Sequence, residues 1–285
     1  MSDIDVPVES ALTSASKLLS SVVSQLSTST RPSSEELRQL QLVCSLLSGL
    51  DPYLDSVSSP APSVQRPLLK ATAEHDWAGA WSRKQTLFQL SAAWSAGGYE
   101  GNLVGLLTRL THAQKALEIG MFTGTTTVCI AQQLRQGGKV TALEIDPYLH
   151  NFTRPFFHQS GLAEKIDVKV GNAVDHLEAI SKTIVCDQDA YDIIFIDADK
   201  PGYTTYFNMI LDKHLLKKDG LLVVDNTLYK GAPWTEGLVD ESLLDIAKTN
   251  ADAIKHFNQV VRQDKRVEVI VLPVRDGVSL IMRNE

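Results

Sequence analysis

The stretch Tyr191 to Gly231, YDIIFIDADKPGYTTYFNMILDKHLLKKDGLLVVDNTLYKG, constrains the fold more than any other part of the chain. Its two apolar runs, Ile193 to Ile196 and Leu221 to Val224, have strand length, and each stops at a carboxylate, Asp197 and Asp225. Between them Tyr206, Met209, Ile210, Leu211, Leu215 and Leu216 recur with a helical rhythm over residues 203–216, so the unit reads strand, helix, strand. Such a unit needs a right-handed crossover and makes its strands parallel. Parallel neighbours that both end in Asp put two carboxylates at the carboxyl edge of the sheet, where open α/β sheets bind ligands, and Asn226 adds a third oxygen. A single Asp after a strand commonly starts a turn or caps a helix. Two at matched strand ends, followed by Lys200 and Asn226, point instead to a site. With no Cys or His nearby, these oxygens suit a hard cation such as Mg²⁺, Ca²⁺ or Mn²⁺ better than zinc.

The rest of the chain supports that unit. Strands are expected at 116–120, 139–145, 166–170, 192–197 and 220–225, with helices between them. A long helix at 239–264 and a pair of strands, 267–272 and 278–283, linked by a turn at Asp276 and Gly277, complete the pattern. This is an α/β fold, a mostly parallel seven-stranded sheet with helices on both faces and an antiparallel C-terminal end. Upstream, residues 6–27 read as a helix. A second one begins after a Pro32-Ser33-Ser34 cap, carries the stripe Leu37, Leu40, Val43, Leu46, Leu47 and stops at Gly49. Residues 50–67, with Pro52, Pro60, Pro62 and Pro67, read as an irregular connector. The expected division is a helical extension over 1–70 and the α/β domain over 71–285. From Trp77 to Leu110 the pattern is helical, broken at Gly97, Gly98 and Gly101.

The loop after the first strand, Glu118-Ile-Gly120-Met-Phe-Thr-Gly124, is the second informative feature. Gly120 permits a tight turn, and the following helix offers amide donors at its N-terminus. The spacing is not GxGxxG, and Glu118 at the lip suits a cationic group, an ammonium or a sulfonium, better than a pyrophosphate. Glu144 ends the second strand, where an acidic residue commonly receives the two ribose hydroxyls. Together Glu118, Gly120 and Glu144 describe a nucleoside with a cationic tail.

These residues resemble the cation-dependent O-methyltransferases that use S-adenosylmethionine, the group that includes caffeoyl-CoA and catechol O-methyltransferases. The resemblance lies in LEIGMFTGTTT, TALEID, YDIIFIDADKPGY, GLLVVDNTLYKG and LPVRDGVSLIMR, in order over roughly residues 94–285. It implies a Rossmann-like methyltransferase fold, a cation held by Asp197, Asp225 and Asn226, and Lys200 beside the reacting hydroxyl. It further implies a cofactor site lined by Glu118, Gly120, Thr126, Glu144, Ala173, Asp197 and Asp199, and a homodimer. SGLDPYLD at 48–55 and GMFTG are similar to the cyanobacterial mycosporine-pathway branch, which forms 4-deoxygadusol from its demethyl precursor. The chain departs from many relatives at Thr125 and Thr126, at Tyr229 where Trp is frequent, and at Trp94, Ser95 and Ala96.

The chemistry implied is an in-line methyl transfer to one hydroxyl of a vicinal pair, with Lys200 taking the proton and Asp197 in the catalytic set. Around Tyr229 to Glu241, Lys230 stands against Glu236, Asp240 and Glu241, a poor match for a polyanionic coenzyme A thioester. A compact ring, demethyl-4-deoxygadusol foremost, would need little beyond an apolar wall such as Tyr229 and Trp234. A caffeoyl-CoA or catechol acceptor is the alternative. Rival classes are an NAD-dependent oxidoreductase and a non-catalytic nucleotide-binding protein. With 27 Lys and Arg against 34 Asp and Glu, and no basic run, nucleic acid is not an expected partner. No apolar run approaches membrane-spanning length, and the acidic start is unlike a transit peptide, so a cytoplasmic location is expected. Cys44, Cys129 and Cys186 lack CxxC spacing and read as reduced core thiols.

Overall fold

The structure, a computed structural model, describes residues 11–27, 34–235 and 247–284. Seven strands, β1 (Lys115–Ile119), β2 (Lys139–Glu144), β3 (Ile166–Val170), β4 (Tyr191–Ile196), β5 (Leu216–Val224), β6 (Val267–Leu272) and β7 (Val278–Arg283), form one sheet in the order β3-β2-β1-β4-β5-β7-β6. The pairs from β3 through to β5 are parallel, and β7 runs antiparallel to both β5 and β6. The expected α/β architecture and its antiparallel end are therefore present. The order reverses at β1, whose neighbours are β2 and β4, and ligands of such sheets bind at that point.

Alternation along the strands divides the core between the two faces. Ile194, Ile196, Leu222 and Val224 pack with Tyr203, Phe207, Ile210, Ile254 and Phe257, which lie on α9 (Tyr203–Asp212) and α10 (Lys248–Gln263). Ile193, Phe195, Leu221 and Val223 pack with Val104 of α5 (Gly97–Leu110) and Ile130 of α6 (Thr125–Gln133). Phe257 is 1% exposed and meets Phe207 and Tyr203 edge to face. Burying a ring of this size contributes about 2 kcal/mol. At the amino edge, Asp192 accepts the backbone amides of Gln114 and Lys115, both at 2.8 Å, and pairs with Lys217 at 2.5 Å, aligning the starts of β1, β4 and β5.

Upstream lie α1 (Ala11–Ser27), α2 (Ser34–Val57), α3 (Arg66–Glu74) and α4 (Trp77–Ser82). The second helix does not stop at Gly49. It continues through Pro52 to Val57, because Asp51 and Asp55 on its last turns are ion-paired to Arg275 across the molecule. The segment expected to break at Gly97, Gly98 and Gly101 is instead helical there, and the break falls at 83–91. Gly101 and Gly105 let α5 approach Gln65 and Cys129 more closely than a side chain would allow. The helical rhythm read over 203–216 ends at Asp212, and β5 already begins at Leu216. The first residues of the helix expected at 6–27, the cap residues Pro32 and Ser33, and residues 239–246 of the helix expected at 239–264 lie outside the described residues. Of the three thiols only Cys129 belongs to the core. Cys44 is half-buried, and Cys186 is exposed because it serves a turn, its thiol donating to Asp189 Oδ2 at 3.4 Å. Among the described residues, no helix is long and apolar enough to cross a membrane.

Two further helices, α7 (Pro147–Gln159) and α8 (Ala173–Ser181), follow β2 and β3. Each opens on a side-chain cap, Asp146 Oδ1 accepting from the Tyr148 amide at 2.9 Å and Asn172 Oδ1 from the Val174 amide at 2.8 Å. Both helix starts thereby face the carboxyl edge.

Candidate active site

Asp197 and Asp225 follow β4 and β5 directly, and the register pairs Ile196 with Val224, so the two acids stand side by side at the carboxyl edge. Asp225 is 2% exposed. Burial pushes its carboxyl well above the usual range, the charge of Asp197 pushes the same way, and Lys200 opposes them. Lys200 sits in the turn after β4. Its Nζ donates to Asp197 Oδ1 (3.1 Å), to the Ala198 carbonyl (3.1 Å) and to Tyr203 Oη (2.7 Å). Asn226 stands at φ 58°, a left-handed conformation that Asn tolerates, with its amide donating to Asp225 Oδ1 at 2.6 Å.

The loop after Asn226 is held in costly conformations. Tyr229, Lys230 and Gly231 have φ of 39°, 54° and 82°, and such backbone persists in bulky residues only where the surroundings fix it. Here the β6–β7 turn does so. The Thr227 amide donates to the Gly277 carbonyl (3.0 Å), Leu228 to the Asp276 carbonyl (2.9 Å), and Lys230 to Asp276 Oδ1 (2.5 Å). Tyr229 is buried in the core cluster beneath the sheet edge, whereas Trp234 is 59% exposed. The two residues read as an acceptor wall thus differ sharply in access. Among the described residues, no three His, Cys, Asp or Glu side chains converge into a metal-holding group. A cation here would rest on two carboxylates and the Asn226 amide oxygen.

The neighbouring strand ends form the second half of the site. Gly120 (φ 91°) turns the chain after β1, and a Cβ there would run into the Asp197 carbonyl. Gly124 (φ 72°) opens α6, where a side chain would meet Phe157. Glu118 is 1% exposed and accepts from Thr127 Oγ1 at 2.5 Å. Burial pushes its carboxyl up to about 8. Glu144 accepts the Phe122 amide at 2.8 Å and the Asp146 amide at 2.9 Å, one on each oxygen, and burial pushes it up to about 7. A carboxylate has about four acceptor sites, so capacity for a further donor remains. Thr126 is buried in the first turn of α6, Ala173 begins α8 half-buried, and Asp199 is exposed, accepting from Tyr206 Oη at 2.5 Å. The edge thus brings the expected residues onto the ends of β1 to β5 and the loops that follow them.

Two residues without a sequence signal belong to this neighbourhood. Glu100 on α5 is buried with Oε1 unpartnered, and burial, then the charges of Asp225 and Asp197, push its carboxyl well above the usual range. Arg275, in the β6–β7 turn, is the positive charge that opposes them. Neither an isolated Glu in Tyr99-Glu100-Gly101 nor an Arg in a turn reveals such neighbours. Only the closure of the sheet does.

The sequence profile of the O-methyltransferase family matches residues 73–284. The caffeoyl-CoA O-methyltransferase of Zinnia elegans is 32% identical over 228 residues, 80% of this chain and 85% of the relative. Tricin synthase 1 of Oryza sativa subsp. japonica is 31% identical over 234 residues, 81% of this chain and 85% of its own. Among solved structures, an O-methyltransferase from Bacillus cereus in complex with SAH superposes with a TM-score of 0.66 at 23% identity, covering 83% of this chain and 97% of that one. A SAH-bound methyltransferase of Podospora anserina gives 0.67 at 22% identity, covering 90% and 99%. The structural likenesses carry the Rossmann-like methyltransferase fold, and the sequence matches set aside the nicotinamide-dependent oxidoreductase. On the profile match and on relatives above 30% identity over four fifths of its length, the chain belongs to the O-methyltransferase family.

Proposed function

We propose that this enzyme, an S-adenosylmethionine-dependent O-methyltransferase, methylates one hydroxyl of a vicinal pair on a phenolic acceptor of the caffeoyl-CoA or catechol type, with a divalent cation at Asp197, Asp225 and Asn226. The observation that carries the reading is the pair of carboxylates at adjacent strand ends with Lys200 Nζ 3.1 Å from Asp197. The relatives named as caffeoyl-CoA O-methyltransferases support the acceptor class. The donor set fits a hard cation: Asp225 is buried beside a second acid, which disfavours its ionised form, and a cation between the two oxygens would favour it. A cation bound there would supply Lewis acidity to two adjacent hydroxyl oxygens.

The protein's own groups divide the remaining work. Glu144 receives the nucleoside, with Ala173 and Asp199 contributing from the loops after β3 and β4. Glu118 and the turn at Gly120 face the cationic end of the donor, and Thr126 lies at the adjoining helix start. Lys200, anchored by Tyr203 Oη at 2.7 Å, is the group positioned to take the proton of the attacking hydroxyl once it is neutral. Trp234, exposed and close to the loop, offers a face for the acceptor ring, with Tyr229 behind it. We read the assembly as a homodimer, which light scattering of the purified protein checks.

A second reading keeps the chemistry and changes the acceptor to a compact ring such as demethyl-4-deoxygadusol. It is favoured by the acidic balance of Glu236, Asp240 and Glu241 against Lys230, a poor welcome for a coenzyme A moiety. The acidic residues of that segment lie outside the described residues. Specificity constants for caffeoyl-CoA, a simple catechol and demethyl-4-deoxygadusol, each with Mg²⁺ and with excess chelator, test both readings. Preference for caffeoyl-CoA by tenfold or more, about 1.4 kcal/mol, removes the compact-ring reading. Full activity in chelator removes the cation.

A further inference from the structure

The guanidinium of Arg275 is 2% exposed, yet it lies in a turn, at φ 49°. Nη1 meets Asp51 Oδ1 at 2.8 Å, Nη2 meets Asp55 Oδ1 at 2.5 Å, and the group lies 4.8 Å from the Tyr99 ring centroid. Nε has no acceptor. A buried charge of this kind is tolerated when paired and costly otherwise. The β6–β7 turn therefore depends on the end of α2 to hold its arginine. The dependence is mutual, since that end of α2 follows Gly49 and contains Pro52, and neither residue favours helix.

The residues next to Arg275 are those that brace the loop after β5. Asp276 receives the amides of Leu228 and Lys230, Gly277 that of Thr227, and Ser279 Oγ bonds Thr227 Oγ1 at 3.0 Å. The N-terminal helices also reach this loop directly, because α1 lies against the 229–234 turn. A continuous set of contacts therefore runs from α2 through Arg275 to the backbone that carries Asp225, Asn226 and Tyr229.

We propose that Arg275 is a positioning residue for the acceptor half of the site: by drawing α2 onto the β6–β7 turn it fixes that turn against residues 225–231. The N-terminal extension and the acceptor site then form one mechanical unit, while the cofactor half, built on β1 and β2, stands apart from it. The inference rests on reading Asp225 and Asn226 as acceptor-side residues.

The test compares full-length wild type, Asp51→Asn/Asp55→Asn and Arg275→Lys by amide hydrogen exchange, without cation or cofactor. In the double Asn variant the peptide covering 225–235 is expected to exchange roughly tenfold faster, the scale of such couplings, with the peptide covering 115–124 unchanged. Its acceptor KM at saturating S-adenosylmethionine and Mg²⁺ should rise by about the same factor. Its kcat and its calorimetric affinity for S-adenosylmethionine should stay within roughly twofold of wild type, as expected of separate sites. Arg275→Lys keeps the charge but loses the two-pronged grip, and should fall between. Unchanged exchange at 225–235, or equal acceleration of both peptides, overturns the proposal. Exchange needs no turnover, so it decides the matter even if no acceptor tested is methylated, an outcome that would instead count against the functional reading.

Discussion

Glu118 and Glu144 are held where charge is poorly solvated, and this gives the free protein a pH signature. Glu144 titrates at about 7 in the fold against 4.5 in an unperturbed chain, and Glu118 at about 8. Between those limits the folded protein keeps protons that the unfolded chain has lost, so stability is highest below the unfolded value and declines as pH rises through the folded one. For Glu144 the decline amounts to about 3 kcal/mol. The melting temperature of ligand-free protein should therefore fall from about pH 5 to about pH 8, and Glu144→Gln should flatten the slope. The variant's absolute stability should drop as well, because an amide nitrogen would face a backbone donor. Equal slopes would show that Glu144 is not perturbed. Conversely, a ligand bringing a cation to Glu118 and hydroxyls to Glu144 favours their ionised forms. Binding of S-adenosylmethionine near pH 7 should release about one proton, read from calorimetry in buffers of different ionisation enthalpy.

The turn after β1 and the Asp197 strand end meet at Gly120. Gly120→Ala asks for a positive φ and pushes a methyl into the Asp197 carbonyl. The cost should be roughly 1 to 3 kcal/mol, seen as a lower urea midpoint, with cofactor affinity falling alongside it. An unchanged midpoint would mean that the loop relaxes freely. What was legible in the sequence follows the same division between local and distant causes. Strands β1 to β7, the two terminal aspartates, Gly120 and Glu144 announce themselves through apolar runs that stop at a polar residue, a signal contained within a few positions. The length of α2 does not. Gly49 and Pro52 argue locally for an end, and the helix continues because Arg275, remote in sequence, pairs with its last turns. Likewise α5 runs through Gly97, Gly98 and Gly101 because a close helix crossing at Cys129 favours small residues, where propensity alone reads a break. Glu100 was invisible for the same reason: its importance lies wholly in its neighbours.

For the molecule as a whole we read residues 1–70 as an extension and 71–285 as the catalytic domain, with Arg275 ion-paired to Asp51 and Asp55 between them. If a cation completes the acceptor half, adding it should stabilise the entire fold. At a hundredfold excess over its dissociation constant the gain is about 2.7 kcal/mol, or roughly 5 to 10 °C in melting temperature for a chain of this size. Chelation should reverse the shift and Asp225→Asn should abolish it. A shift that persists in Asp225→Asn would place the cation elsewhere.

The position of β4 between β1 and β5 has one more consequence. With the donor and acceptor placed as proposed, the one at the ends of β1 and β2 and the other at the ends of β4 and β5, the span across which the methyl passes would be set by the spacing of hydrogen-bonded strands, about 4.8 Å per step. That spacing cannot drift, whatever happens in the loops above it. On that placement acceptor preference would be a separable trait: residues 229–235 and the N-terminal helices could be rewritten in a descendant sequence, and a new hydroxyl brought into line, without recalibrating the distance over which the reaction occurs.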